Sequence, residues 1–174
     1  MAKLRLASPL QQDSIVDGPG VRMVLWTQGC MHKCKGCHNP QTHDLKAGEL
    51  VESEKIVVQM KEAQLQSGLT LSGGEPFLQS EELLPIVQAA KEMHLNIWAY
   101  SGFTFEQLIN KEACRNLLNY LDVLVDGKFI EEEKDYRLKF KGSKNQRIID
   151  VQESLKQNKV IRSTYDDKNT ELFL

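Results

Sequence analysis

Short runs rich in β-branched and aromatic residues alternate with segments of helical periodicity along this chain, and that alternation is its strongest constraint on fold. Four runs are predicted strands: Val21–Gln28, Leu69–Ser72, Asn96–Tyr100 and Val123–Asp126. Helices are predicted at residues 54–66, 81–93, after Thr104 and at 113–121. Strands separated by helices predict βα units and a largely parallel sheet. The 174 residues are fewer than the roughly 250 of a complete α/β barrel, so we expect an α/β fold, a truncated (partial) βα barrel.

Two of the predicted helices carry signals for where they begin and end. Ser53 is placed as a possible N-cap of the helix at residues 54–66, and Gly68 is expected to end that helix. Thr104 is followed three residues later by Gln107, the spacing of a capping box, so a helix is predicted to begin after Thr104.

The last third of the chain is harder to assign. Residues 129–147 are polar and charged, and two weak strand signals follow at 148–151 and 160–163. The basic residues between Lys134 and Lys144 are interpreted as a solvated surface, with a docking patch as the second interpretation. Because no linker divides the chain, residues 1–174 are expected to form a single domain.

Composition excludes several classes of function. A hydrophobic fraction of 41% and a charged fraction of 26% are those of ordinary globular proteins. The net charge of −2 gives no reason to expect nucleic acid as a partner, and no apolar run approaches the roughly 20 residues of a membrane helix. The first residues do not resemble a secretory signal, so we expect a cytoplasmic protein in a reducing compartment.

Three cysteines, Cys30, Cys34 and Cys37, follow directly on the first predicted strand. A 4Fe-4S cluster has four iron corners and usually takes four thiolates, so three cysteines would hold it and leave one iron open to a substrate. The alternative is a closed Cys₃His zinc site. Three histidines could complete it: His32, His38 and His43. The spacing alone leaves the two interpretations nearly level.

A second set of residues, Gly73-Gly74-Glu75-Pro76, follows the next predicted strand. Glycines let a ligand approach the backbone closely. Because the carboxyl ends of parallel strands share one edge of a sheet, this turn is expected to lie beside the cysteines. The remaining cysteine, Cys114, is interpreted as a buried structural thiol in a helix.

The Cys-x₃-Cys-x₂-Cys loop and the Gly-Gly-Glu-Pro turn together resemble the radical S-adenosylmethionine superfamily. The resemblance implies that Cys30, Cys34 and Cys37 hold a 4Fe-4S cluster whose open iron binds S-adenosylmethionine. It implies that Gly73, Gly74 and Glu75 bind the methionine amine, and that Gly36, Cys37 and His38 contact the adenine through their backbone. Many members place an aromatic residue before the third cysteine, where this chain has Gly36. Replacing Gly74 by a bulky residue is expected to spare the cluster and weaken cosubstrate binding.

The segments Asp17-Gly18-Pro19-Gly20-Val21-Arg22 and Cys37-His38-Asn39-Pro40 narrow the resemblance to glycyl-radical-enzyme activases. The resemblance implies reductive cleavage of S-adenosylmethionine and generation of a glycyl radical on a partner enzyme, with Asp17 and Arg22 as candidates for contacting the partner's glycine loop. The partner it implies is anaerobic (class III) ribonucleotide reductase, and the electron would come from a flavodoxin or ferredoxin-type donor.

Three alternatives stay open at the level of sequence. The first is an activase of another glycyl radical enzyme, such as pyruvate formate-lyase. The second is a radical enzyme that acts on a small molecule, such as a carboxy-deazaguanine synthase. The third, from a different class of protein, is a non-enzymatic zinc module.

Overall fold

The computed structural model describes residues 2–63 and 65–166. The strands are β1 (Lys3–Leu6), β2 (Gln11–Ser14), β3 (Arg22–Thr27), β4 (Glu49–Glu52), β5 (Gly68–Gly73), β6 (Asn96–Tyr100), β7 (Val123–Asp126) and β8 (Arg147–Asp150). The α-helices are α1 (Ser53–Glu62), α2 (Ser80–Glu92), α3 (Phe105–Ile109), α4 (Glu112–Leu118) and α5 (Val151–Gln157).

The eight strands form one mixed sheet in which the parallel strands occupy the centre. The strand order is β4-β1-β3-β5-β6-β7-β8, and β2 pairs with β3 off this path. Strands β3, β5, β6 and β7 are parallel, whereas β1, β2, β4 and β8 pair antiparallel with their neighbours. The sheet is open, with β4 and β8 at its edges. The predicted α/β fold with a largely parallel sheet is therefore confirmed.

The central strands are buried on both faces, as parallel strands usually are. Alternate residues of β6 show this, because Ile97 and Ala99 belong to the larger core, whereas Trp98 belongs to a smaller cluster on the other face. The larger core is formed with helices α1, α2 and α4. Phe140 and Tyr165 pack against Trp98 at ring-centroid distances of 5.3 Å each.

The four predicted central strands are present at positions that match the prediction within two residues at either end. The capping box is also confirmed: the Gln107 N–H donates to Thr104 Oγ1, and the Thr104 N–H donates to Gln107 Oε1. Of the two late strands, the first is β8, whereas the second contributes only an isolated bridge between Ile149 and Arg162.

The two signals assigned to the first helix were wrong. Ser53 is the first residue of α1 and does not cap it, because its hydroxyl donates to the carbonyl of Glu82 on α2. Helix α1 ends at Glu62, and Gly68 instead begins β5. Gly68 lies against the Arg22 guanidinium, where a Cβ atom would come within 2.3 Å of Nη1. The glycine is thus required by packing within the sheet.

An ion-pair network joins α3 to the last two strands. Arg147 donates to both carboxylate oxygens of Asp126, with Nε–Oδ1 at 2.9 Å, and it also donates to Glu106 at 2.7 Å and 3.1 Å. Asp126 is 1% exposed and also accepts the N–H of Phe105. The hydrogen bond from Arg147 lowers the pKa of Glu106 below its ordinary value of 4.5.

Glu106→Gln should lower the free energy of unfolding at neutral pH by under about 1 kcal/mol, because the pair with Arg147 is solvent-exposed and screened. The pKa of Glu106 is lower in the folded chain. The carboxylate therefore stabilises the fold above its ordinary pKa, and that contribution is lost as the pH falls through the lowered value. Urea unfolding at neutral and acid pH should show the difference between wild type and variant disappear on acidification.

Glu92→Gln serves as the control, because Glu92 is an exposed glutamate at the end of α2. A Glu92 variant that shows the same loss of stability and the same pH dependence would contradict the role given to the Glu106 pair.

Within residues 2–63 and 65–166, no helix is both long and apolar enough to cross a membrane.

Candidate functional site

A cavity of about 370 Å³ lies at the carboxyl ends of the parallel strands β3, β5, β6 and β7. Each of these strands contributes to its lining through the residues that end or follow it: Cys30 after β3, Gly73 and Gly74 at β5, Ser101 and Gly102 after β6, and Gly127 after β7. This is the edge at which parallel α/β folds assemble their sites. The volume falls in the range of small-molecule sites.

The three cysteines of the loop after β3 all line this cavity, and all are free and partly buried. Burial raises the pKa of Cys30, and the negative charges of Glu75, Cys34 and Cys37 raise it further, against a lowering contribution from a backbone hydrogen bond of His32. Three thiolates in one partly buried cavity would repel one another, and a bound cation or metal cluster would offset that repulsion. The donor set therefore fits an iron–sulfur cluster.

The histidines named for a zinc site are each placed differently. His32 Nε2 lies 2.7 Å from the Glu75 carboxylate, His38 packs on Phe129 at 4.9 Å between ring centroids, and His43 lines the cavity. In the part of the chain that the structure describes, no three His, Cys, Asp or Glu side chains, the three cysteines included, form a group that could hold a single metal ion. The cysteines therefore share one cavity without converging on one point, and a 4Fe-4S cluster, which takes each thiolate at a different iron, does not require that they converge.

The Gly-Gly-Glu turn is locked onto the end of β3 immediately before the cysteine loop. The Gly74 N–H donates to the Thr27 carbonyl and the Glu75 N–H donates to the Gly29 carbonyl, both at 2.8 Å. A Cβ at Gly73 would lie 2.4 Å from the Thr27 carbonyl oxygen, and a Cβ at Gly74 would lie 2.4 Å from that of Gly29. Both glycines are therefore required by the contact between the two turns.

This contact changes what is expected of substitutions at Gly74. The sequence predicted that a bulky residue there would spare the cluster. Any side chain at Gly74 would instead displace Gly29, the residue that immediately precedes Cys30. We therefore expect a change at Gly74 to disturb the cysteine loop as well as the cosubstrate.

Glu75 differs from its two glycine neighbours because its side chain does not line the cavity. The carboxylate is 1% exposed and accepts hydrogen bonds from the Phe77 N–H, the Gly102 N–H and the Ser101 hydroxyl, in addition to its contact with His32. The structure thus brings Gly73 and Gly74 to the cavity and directs the Glu75 side chain into the protein. Its predicted contact with the methionine amine stays a prediction.

Asp17, predicted to contact the partner's glycine loop, lies at the cavity. The hydroxyl of Ser14 donates to Asp17 Oδ2 at 2.5 Å, so the carboxylate is held at the end of the β2–β3 connection. The adjacent Val16 also lines the cavity and is 72% exposed. Asp17 therefore stands where the cavity meets solvent.

Arg22, the second residue predicted for the glycine loop, does not line the cavity. It is 1% exposed, and burial lowers the pKa of Arg22 to about 10, so it stays charged at neutral pH. Its five N–H groups donate to Thr70 Oγ1, to Asn96 Oδ1 and to the carbonyls of Pro19, Leu69 and Asn96. Arg22 therefore fastens the Asp17-Gly18-Pro19-Gly20 turn to β5 and β6, which differs from the predicted role at the surface.

Gly36 also lies outside the cavity lining, whereas Cys37 and His38 line it. Gly36 has φ +71°, and a Cβ there would lie 2.8 Å from the Glu131 carboxylate. The place of the aromatic residue found in many radical S-adenosylmethionine proteins is therefore taken up by residues of the segment after β7. In that segment Phe129 lines the cavity and packs on His38.

The stretch at residues 129–147 forms one wall of the cavity. Its lining residues were not identified from the sequence: Phe129, Leu138, Phe140, Lys141, Gly142 and Gln146. Lys141 was interpreted as part of a solvated basic surface, but its side chain is 5% exposed and donates to Asp166 at 2.7 Å. Of these residues, only Phe129 could have been predicted to line the site, because it follows a predicted strand at the edge where sites assemble.

Comparison with known proteins identifies relatives over most of the chain. Residues 16–149 match the model of a protein family described as a 4Fe-4S single cluster domain. The chain is 40% identical over 142 residues to the anaerobic ribonucleoside-triphosphate reductase-activating protein of Haemophilus influenzae, which covers 77% of this chain and 90% of that protein. The protein of the same name from Vibrio cholerae gives the same identity and coverage. The protein of that name from Escherichia coli is 33% identical over 140 residues, and the match covers 76% of this chain and 90% of that protein.

One solved structure, that of QueE from Escherichia coli, is similar with a TM-score of 0.49 and 16% identity over 60% of this chain and 55% of that one. The family match supports an iron–sulfur cluster.

Proposed function

The chain belongs to the family of anaerobic ribonucleoside-triphosphate reductase-activating proteins, and from this premise we propose that it generates a glycyl radical on that reductase. The observation that carries the proposal is the shared cavity. The three cysteine thiols, the Gly73-Gly74 backbone and Asp17 all line it. A metal cluster, a small cosubstrate and an approaching segment of another protein can therefore meet at one place.

In this proposal Cys30, Cys34 and Cys37 hold a 4Fe-4S cluster, and three cysteines leave one iron for the amino and carboxylate groups of S-adenosylmethionine. When bound, the reduced cluster would supply the one electron for the cleavage of S-adenosylmethionine, the chemistry by which a hydrogen atom would be removed from a glycine of the partner. The chain's own residues bind and orient the reactants, and the wall at residues 129–147 shields them from water.

The backbone of Gly73 and Gly74 is proposed to face the methionine part of the cosubstrate, because no side chain stands between it and the cavity. Cys37 and His38 are proposed to border the adenine, with Phe129 beside them. We further propose that the partner's glycine approaches past Asp17, where the cavity meets solvent. The electron donor is proposed to be a flavodoxin or ferredoxin-type protein.

The proposal is tested by mixing the anaerobically reconstituted, reduced protein with S-adenosylmethionine and the reductase. A glycyl radical signal should appear in the electron spin resonance spectrum, together with 5′-deoxyadenosine and methionine. The signal should require the cluster, the cosubstrate and the reductase together.

Replacing the reductase by pyruvate formate-lyase, or by a pterin substrate without any protein partner, provides the comparison. A glycyl radical on pyruvate formate-lyase alone would identify a different partner. Formation of 5′-deoxyadenosine on the pterin, with no radical on the reductase, would replace the proposal with a small-molecule radical enzyme.

A further inference from the structure

His32 is the residue of the cysteine loop whose side chain contacts the Gly-Gly-Glu turn, through the buried carboxylate of Glu75. Its Nε2 atom lies 2.7 Å from Glu75 Oε2, and the two side chains are 8% and 1% exposed. His32 lines the cavity, whereas Glu75 does not. The pair therefore connects the cysteine loop, at the cavity, to a carboxylate held inside the protein.

The bonding around Glu75 fixes what His32 must do. Two backbone N–H groups, those of Phe77 and Gly102, donate to the carboxylate at 3.1 Å and 2.9 Å, and the Ser101 hydroxyl lies 2.9 Å and 3.0 Å from its two oxygens. A carboxylate surrounded by such donors is an acceptor, so His32 Nε2 carries a hydrogen and donates it. A charge-assisted bond of this kind is among the stronger hydrogen bonds.

The imidazole ring of His32 fits closely among its neighbours. It packs edge-on against Phe103 at a centroid distance of 4.5 Å. Gly102 lies beneath it, and a Cβ at that position would come within 2.5 Å of His32 Cδ2. The absence of a side chain at Gly102 therefore makes room for the ring. The residues that follow β6 thus contact the imidazole and also donate hydrogen bonds to the Glu75 carboxylate.

His32 is also close to the cysteines along the chain, because it lies two residues after Cys30 and two before Cys34. Lys33, the next residue, has φ +52°, a left-handed conformation that is uncommon for lysine. Strained backbone of this kind persists where the surroundings hold it in place. The hydrogen bond between His32 and Glu75, called the clamp below, can hold Lys33 in this conformation.

We propose that His32 is a positioning residue: by donating to Glu75 it fixes the cysteine loop against the Gly-Gly-Glu turn, so that cluster and cosubstrate keep the spacing at which both bind. This deepens the proposed function and rests on it for the identity of the cosubstrate. The proposal assigns to Glu75 a task within the protein, carried out through the loop and not through contact with the cosubstrate.

The test compares His32→Ala, His32→Gln and Met31→Ala in the full chain. Met31 is the matched control, because it lies in the same loop and is 60% exposed. Glutamine is the rescue variant, because its Nε2 amide can donate to Glu75 from about the same distance along the side chain as histidine Nε2. Amide hydrogen exchange of residues 30–38 is measured in the reduced, iron-free chain, and the S-adenosylmethionine dissociation constant is measured by equilibrium dialysis after reconstitution with iron.

For His32→Ala, exchange in the loop should become at least about tenfold faster and the dissociation constant should rise about tenfold, as expected for loss of one hydrogen bond to a charged group. His32→Gln should return both values to within about threefold of wild type, and Met31→Ala should leave both unchanged. Equal effects of His32→Ala and Met31→Ala, or a glutamine variant no better than alanine, would overturn the proposal.

The two readouts separate this inference from the proposed function. Faster exchange in the iron-free His32→Ala chain reports the clamp alone, with no cluster, cosubstrate or partner present. If the wild-type protein then yields no radical on the reductase although the clamp behaves as expected, the proposed function fails and the positioning role of His32 stands.

Discussion

Replacing Cys34 by serine is expected to remove the iron–sulfur cluster and to lower glycyl radical formation at least about a hundredfold. Loss of a residue that only supports a metal ligand costs about 10–100-fold, and loss of the ligand itself should cost more. Cys34 lines the cavity between Cys30 and Cys37, and a serine hydroxyl is nearly the same size as the thiol. Any effect therefore reflects ligand chemistry and not packing.

The measurements are the iron content after anaerobic reconstitution, about four irons per chain in the wild type for one 4Fe-4S cluster, and the radical signal on the reductase. Cys114→Ser is the matched control. Cys114 is 5% exposed and lies on α4, where its sulfur is 3.6 Å from the hydroxyl of Ser80 at the start of α2. This variant should keep its iron. A Cys34 variant that retains its full iron content and activity would show that Cys34 does not bind the cluster.

Gly73→Ala should be among the most destabilising single substitutions in this chain, lowering the free energy of unfolding by about 3 kcal/mol or more. Two costs add at this position. Gly73 has φ +103°, a conformation that alanine rarely adopts, and its Cβ would lie 2.4 Å and 2.5 Å from backbone atoms of Thr27. Neither β3 nor β5 can move aside without breaking the parallel register that joins Thr27 to Gly73.

Gly127→Ala separates these two costs. Gly127 has a similar conformation, φ +97°, but its nearest neighbour to an added Cβ is a side-chain atom of Asn145 at 3.8 Å. Only the conformational cost remains, so a loss of about 1 kcal/mol is expected. Urea unfolding of the iron-free chains gives both values directly. Equal losses for the two alanine variants would show that the contact between Gly73 and Thr27 adds nothing.

The central strands were predictable because their signals are local. Leucine alternates with threonine and serine from Leu69 to Ser72, as in a short strand, and the capping box of Thr104 and Gln107 lies within four residues. Strands β1, β2 and β4 were not predicted. Each is four residues long, and β2, with the sequence Gln-Gln-Asp-Ser, has no apolar alternation at all. Such strands form because a neighbouring strand offers hydrogen bonds, which is information that a short segment does not contain.

The same distinction applies to the site. The cysteines and the Gly-Gly-Glu turn could be placed together from the sequence, because both follow parallel strands and must reach the same edge of the sheet. The roles of Arg22 and Lys141 could not. Both cations are buried by distant partners, Arg22 by acceptors on β5 and β6 and Lys141 by Asp166. The sequence contains no local sign of these partners, so Arg22 was assigned to the partner's glycine loop and Lys141 to a solvated surface.

The far wall of the cavity has a consequence for the order in which the protein can be assembled. The cysteines lie in the first quarter of the chain. The wall between Phe129 and Gln146 follows β7 and is itself followed by β8, and β8 pairs with β7. Contacts of such long sequence separation form late in folding, because the loop must close before they are gained. A growing chain therefore cannot enclose its three cysteine thiols in the cavity until residues 129–146 have been synthesised. Until then the thiols have no wall on that side, and oxidants can reach them.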